Sequence, residues 1–351
     1  MWIRFAAKPP FIVGRLQNRW HSVVDSRDQL VGTVIIMNVR IYQVFRGNSQ
    51  VATSTQTTYA DTGLTASTTY TYVVKAFDSS GNISASSTLA AATTTIATSC
   101  SQSSSFLARA STLNNSRKIL YNTLICGLVA DGIWSQLDAL YILAAPDETA
   151  AQLNLIDSRY TLTKHGSPTF TVDQGYTGDA SSAYFDTGFV PSTAGGNMTL
   201  NSATLGAYVL NNRTTFQVWD ALGVTDGANM LGLNPMIGYA GIEVYINGSS
   251  ADYGSNSSSR GSFIASRTGV SSGEIYENGA AMTPITQTST ALLGASIYLF
   301  ATDRPPYALA SSGDQVAAEF FGGGLNSTQA GELDTLINNF MAALPTPINV
   351  H

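Results

Sequence analysis

The sequence predicts a mainly β protein: two antiparallel sandwiches, with a short helical segment between them and a C-terminal helix. Three observations carry this. Apolar and polar residues alternate at period two from about residue 41 to 85 and again from about 160 to 321, as half-buried strands require. Charged residues are only 11% of the 351, against about a quarter in an average chain. The deficit is filled by Ser, Thr, Asn and 31 Gly, a composition of short strands and polar turns. Turn dipeptides such as Asn247-Gly248 and Asn278-Gly279 separate the strands, without the strand–helix alternation of a parallel sheet.

The elements follow in order. Ile41–Arg46 reads as a strand and Gly47-Asn48 as its turn; Val51–Thr53 and Thr57–Tyr59 follow, then the turn Asp61–Gly63. Tyr70–Phe77 alternates aromatic and β-branched positions, and Ile83–Ala85 begins a last strand. On these residues a resemblance rests. Tyr42-x-Val44-Phe45-Arg46-Gly47, Tyr59-x-Asp61-x-Gly63-Leu64 and the run Thr69–Asn82 resemble the later strands of a bacterial or phage fibronectin type III domain. The resemblance implies an inter-sheet Leu at Leu64 and a tyrosine-corner role for Tyr70, ring buried and hydroxyl bonded to backbone. It covers about 40–97. Residues 1–39 depart from it: the buried Trp of the second strand has only Trp20 as a counterpart, and Arg15, Arg19, Arg27 and Asp28 break the alternation. Divergent first strands and foreign sequence both stay open as readings.

Residues 98–105 are Ser-rich and aperiodic, a linker by composition. Beyond them, 106–158 reads as a helical segment. Leu120, Leu124 and Leu128 recur at helical spacing and Asp131-Gly132 stops the run. Ile133, Trp134, Leu137, Leu140 and Tyr141 suit a second short helix, and Asp147 caps a third that runs to about Leu155. Strands return in 159–346, among them Phe170–Val172, Tyr184–Asp186, Ala203–Leu210, Thr215–Val218, Ile242–Ile246, Ser262–Ala265, Glu274–Glu277 and Ser296–Phe300. A terminal helix carries Leu333, Leu336, Ile337, Phe340 and Leu344 on one stripe. The run Gly175–Gly188, the hairpin Ile275-Tyr276-x-Asn278-Gly279 and the closing Gly324-Leu325-x-x-x-Gln329-Ala330 resemble the concanavalin A-like, or laminin-G-like, jelly-roll sandwich. The preceding Gly127–Tyr141 resembles a segment accompanying that sandwich in phage tail-associated and prophage-encoded proteins.

Charge and composition exclude several functions. Net charge is -6, with eight Lys/Arg against four Asp/Glu before residue 101 and nine against 19 after it, so no basic face for nucleic acid is expected. No apolar run approaches a membrane span, and Met1–Phe11 makes no recognisable signal peptide. Cys100 and Cys126 read as two unpaired thiols. Glucanases of this superfold carry two acids on one strand face, and no such string occurs: Glu274 and Glu277 fall on opposite faces, and Glu243 has Tyr245 and Asn247 as same-face neighbours. There is no Gly-x-Ser-x-Gly elbow, His165 reads as a solvated turn residue, and Gly322–Gly324 lacks the Lys-Ser/Thr of a phosphate loop.

Two chemistries are left. Exposed aromatics beside polar groups suit sugar stacking, and the expected ligand contacts are Tyr253, Tyr307 and Trp219, with Asn234 and Asp303 as polar partners. No cofactor is required; calcium alone is admitted, through turn carboxylates of which Asp179, Asp186 and Asp226 are the expected ligands. The expected task is thus non-catalytic carbohydrate binding or adhesion on a phage tail, virion or bacterial surface. The expected partners are a cell-surface glycan or other surface subunits, homo-oligomer included, with no nucleic acid and no membrane insertion. A purely structural decoration protein and a divergent polysaccharide hydrolase are the competing readings.

Overall fold

The computed structural model describes residues 2–4, 41–56, 58–61, 64, 68–77, 82–93, 99–212, 221–237, 241–309 and 312–350, and the chain divides into two units, Met1–Thr98 and Ser99–His351. Most of the segment 1–39, the expected strand Thr215–Val218 and Trp219 lie outside the described residues.

In the first unit, β1 (Trp2–Arg4) pairs with β4 (Thr58–Ala60). A four-stranded antiparallel sheet runs β3 (Ser49–Ser54), β2 (Ile41–Arg46), β5 (Thr69–Phe77), β6 (Ala90–Thr93). Alternation sends Tyr42, Val44, Tyr72 and Ala76 inward. Tyr72 is buried and its hydroxyl is anchored. Its OH donates to buried Asp61 at 2.7 Å, and Arg46 Nη1 donates to the same carboxylate at 3.1 Å. Tyr70 is half-buried, with the Arg46 guanidinium over its ring. Burial and the bond to Asp61 push the Tyr72 phenol up to about 12.

The second unit is a sandwich of two sheets with a helical layer outside one of them. The eight-stranded sheet runs β19 (Ala280–Pro284), β18 (Ser272–Glu277), β17 (Gly261–Gly269), β12 (Ala203–Val209), β23 (Gln315–Gly322), β10 (Gly175–Thr177), β9 (Thr169–Thr171), and β7 (Leu137–Ile142) also pairs with β23. The nine-stranded sheet runs β16 (Asp252–Gly254), β15 (Gly241–Gly248), β14 (Met230–Ile237), β13 (Leu222–Thr225), β20 (Tyr298–Leu299), β11 (Tyr184–Asp186), β8 (Thr163–His165). Its β21 (Thr302–Arg304) lies parallel to β13, and β22 (Tyr307–Leu309) pairs with β21. β12 and β17 pack over β14 and β15. Every residue of β12 is buried, because helices cover its other face: the Tyr208 hydroxyl donates to Asn338 on α4 (Ser327–Ala342) at 2.8 Å. Gly206 lies under the Phe320 ring, where any Cβ would clash.

Four readings between residues 98 and 158 are corrected. The Ser-rich stretch is no linker: Ser101–Arg109 forms α1, with Phe106 buried and its ring tilted at 31° to Tyr121 of α2 (Asn115–Ala130), centroids 5.2 Å apart. Cys100 and Cys126 are a disulfide, Cα–Cα 5.6 Å, which ties the start of α1 to α2. Closing a loop of this size stabilises by roughly 3 kcal/mol in the chain-entropy account. The second expected helix is instead β7, buried along its whole length; its helical-looking apolar pattern reflects burial of both faces. The third helix, α3, spans only Glu148–Ala151, capped by Asp147 as expected.

One core group is costly. Glu319 on β23 is fully buried between Ala207 and Tyr141 on the flanking strands, and neither carboxyl oxygen has a hydrogen-bond partner among the described residues. Burial, and then Asp314, push its carboxyl well above the usual range. The folded state therefore holds this proton more tightly than the unfolded chain, so stability falls as pH rises from the unfolded value through the folded one. Glu319→Leu is expected to gain ~1–3 kcal/mol in denaturant melts. The gap over the parent should widen from pH 4 to pH 8; a constant gap would contradict a buried proton.

Candidate functional site

Alternation on β14 and β15 turns Leu231, Leu233, Ile242, Val244 and Ile246 into the core, and sends Asn234, Glu243 and Tyr245 to the sheet's other face. Edge strand β16 sets Tyr253 directly opposite Glu243. Glu243 is 9% exposed and Tyr253 56%, and the Tyr253 hydroxyl donates to Glu243 Oε1 at 2.9 Å. Burial pushes the Glu243 carboxyl up, against the hydrogen bonds from Tyr253 and Tyr245. The Tyr253 phenol is pushed up to about 12, chiefly by its bond to Glu243. At neutral pH this is an exposed aromatic ring whose far end is fixed to a buried acceptor, so little rotamer freedom is lost when a ligand lies on it.

The other expected contacts divide. Tyr307 is 70% exposed, at the start of β22 and opposite Arg304. Asn234 is fully buried, and its Oδ1 accepts the Met236 N–H at 3.2 Å where the register of β14 shifts; it serves the bulge and is not an exposed ligand contact. Asp303 is 5% exposed, so it too is no exposed contact. Burial, then neighbouring Asp186, push its carboxyl up to about 6.

A cluster that the sequence did not reveal lies on β8, β11 and β20. His165 stacks on Tyr184 at 4.5 Å and 7°, and Tyr184 on Tyr298 at 4.6 Å and 21°. His165 is thus a strand residue, not the expected turn residue. Asp186 shares the Tyr184 face; it accepts the Ser296 hydroxyl and the Gly188 N–H. The rings spend their faces on one another, so a sugar can lie flat only at the ladder's ends. Its register depends on residues more than a hundred positions apart, which no local pattern displays.

The three expected calcium ligands do not come together. Asp179 accepts N–H bonds from Ser181, Ser182 and Ala183 at 2.7–2.9 Å. Burial pushes this carboxyl up, but those bonds and the Ser182 hydroxyl together hold it well below the usual range. Asp226 accepts the N–H groups of Asn229 and Ala228, which hold it low. These are turn-closing carboxylates. Among the described residues no group of three or more His, Cys, Asp or Glu is arranged to hold a metal.

No family model matches the chain. Exoglucanase B of Cellulomonas fimi is 55% identical over 53 residues, 15% of this chain and 5% of the enzyme. An alpha-amylase of Niallia circulans is 48% identical over 59 residues, 16% of this chain and 5% of the enzyme. Chitinase Chi52 of Paenibacillus xylanexedens is 41% identical over 88 residues, 24% of this chain and 16% of the enzyme. The matches are local. Among solved structures, domain 4 of the extracellular arabinanase AbnA of Geobacillus stearothermophilus, in complex with arabinotriose, overlays with a TM-score of 0.39 and 15% identity, over 57% of this chain and 98% of that one. Trypanosoma rangeli sialidase in complex with sialic acid gives 0.41 and 11%, over 76% and 42%. Scores this low do not establish a shared fold.

Proposed function

We propose that the second unit binds carbohydrate without cleaving it, through the outer face of the nine-stranded sheet, with Tyr253 as the stacking ring. The carrying observation is the pairing of an exposed Tyr253 with a buried Glu243, which pre-sets an aromatic platform on an edge strand. Tyr307 is the second exposed tyrosine of that sheet. The local kinship to an exoglucanase, an amylase and a chitinase supports a polysaccharide setting. The Cys100–Cys126 disulfide supports an oxidising, extracellular one. On this reading the chain is an adhesion module of a bacterial or virion surface, the first unit serving as spacer.

Affinity electrophoresis through soluble cellulose, starch and glycol-chitin tests it. The parent should be retarded by at least one polymer, Tyr253→Ala should lose at least tenfold in affinity, ~1.4 kcal/mol or more for an aromatic anchor, and Tyr253→Phe should fall between. Retardation by none would leave the structural reading. The hydrolase reading has one observation in its favour, the neighbouring Asp186 and Asp303 carboxylates, and it predicts reducing-sugar release lost in Asp303→Asn.

A further inference from the structure

We infer that a cleft along α1 is a second saccharide site, which takes a neutral pyranose chain on Trp134. The cleft has a volume of about 440 Å³, within the range of small-ligand pockets. Trp134 supplies a half-buried ring and Phe106 a buried one; Gln102, Ser105 and Ser158 supply neutral donors and acceptors; Arg109 is the one charged group of the lining. An apolar ring with amide, hydroxyl and guanidinium groups around it suits a sugar, which has C–H faces and a hydroxyl rim.

The cleft is pre-built. Its α1 wall is pinned at Cys100 by the disulfide to α2. Arg109 is fixed by Nη2, which donates to the Asn154 carbonyl at 2.6 Å, and its guanidinium lies over the Phe106 ring. A wall already immobilised costs little further ordering on binding. Electrostatics decide against an anionic sugar: residues 101–351 hold nine Lys/Arg against 19 Asp/Glu, so one arginine stands in a net-negative unit. A larger groove beside α4 is walled by Asp131 and Glu332 and offers no aromatic ring, so it does not suit the same ligand.

This inference shares its ligand class with the sheet-face reading but not its surface, and the two fail separately. The full chain is titrated calorimetrically with cellohexaose, xylohexaose, maltohexaose and chitohexaose. In the Tyr253→Ala background at least one of these should still bind. Adding Ser105→Trp, an exposed position whose new ring fills the cleft without touching the core, should weaken that binding at least tenfold, and adding Trp134→Ala should do the same. Thermal melts confirm that the variants are folded; Ser105→Trp carries the test if Trp134→Ala is not. The inference is overturned if no hexasaccharide binds Tyr253→Ala, or if Ser105→Trp leaves its affinity unchanged. If Tyr253→Ala equals the parent while Ser105→Trp abolishes binding, the sheet-face reading falls and the cleft stands.

Discussion

Arg267→Ala should cost the second unit about 3–5 kcal/mol, the largest loss expected from any single substitution considered. The guanidinium is 1% exposed on β17, and no carboxylate holds it; four backbone carbonyls do. Nε donates to Ile246 at 3.0 Å, Nη1 to Gly269 at 3.2 Å and Val270 at 2.7 Å, and Nη2 to Gln287 at 2.8 Å. Burial lowers its pKa and the nearby Asp252 opposes this. One side chain thereby joins the end of β15, the turn after β17 and the segment that follows β19. That segment is held from its other side by Asp252, whose Oδ1 accepts the Thr286 N–H at 2.9 Å. Alanine would remove all four of these bonds, leaving the Val270 carbonyl only its bond from the Ser289 N–H, and would open a cavity. Lysine, a point charge without the planar fork, should recover less than half. Urea melts check this, with Arg159→Ala as the control: that arginine pairs with Asp157 on the surface, 66% exposed, and should cost under about 1 kcal/mol.

Asp173→Asn should rank next, again at about 3–5 kcal/mol, since it strands a buried charge. Arg117 on α2 and Asp173 between β9 and β10 are 5% and 4% exposed, and form an ion pair through Arg117 Nη2. Asn tolerates the backbone at this position (φ 60°), so the substitution reports on the lost charge and not on strain. Arg117→Met combined with Asp173→Asn should regain most of the loss, because the uncompensated guanidinium is gone. An additive double variant would mean that the two side chains act independently. The consequence is local: this pair fastens α2 to the turn between β9 and β10, and α2 in turn carries Tyr121, which packs edge-on against Phe340 of α4 at 5.0 Å.

What was legible in the sequence was whatever alternates. Ile242, Val244 and Ile246 declare one buried face and Glu243 and Tyr245 the other, and β15 follows. The stripe of α4 was equally local, and the structure adds an Asn326/Gln329 capping box at its start. What failed was whatever long-range burial decides. Leu137–Ile142 is apolar enough for either period, and only its pairing with β23 makes it a strand. Ser101–Ser105 has poor helix propensity, overridden by the Cys100 disulfide and the burial of Phe106. The site was legible in part. Tyr253 and Tyr307 are exposed as expected from their turn-like surroundings, whereas Asn234 and Asp303, whose polarity makes them the expected partners of a sugar, are buried.

The most direct measurement is a crystal of the chain soaked with whichever hexasaccharide binds it. Sugar density stacked on the Tyr253 ring is the result predicted here. Well-ordered sugar confined to the first unit, with the outer face of the nine-stranded sheet bare, would contradict it.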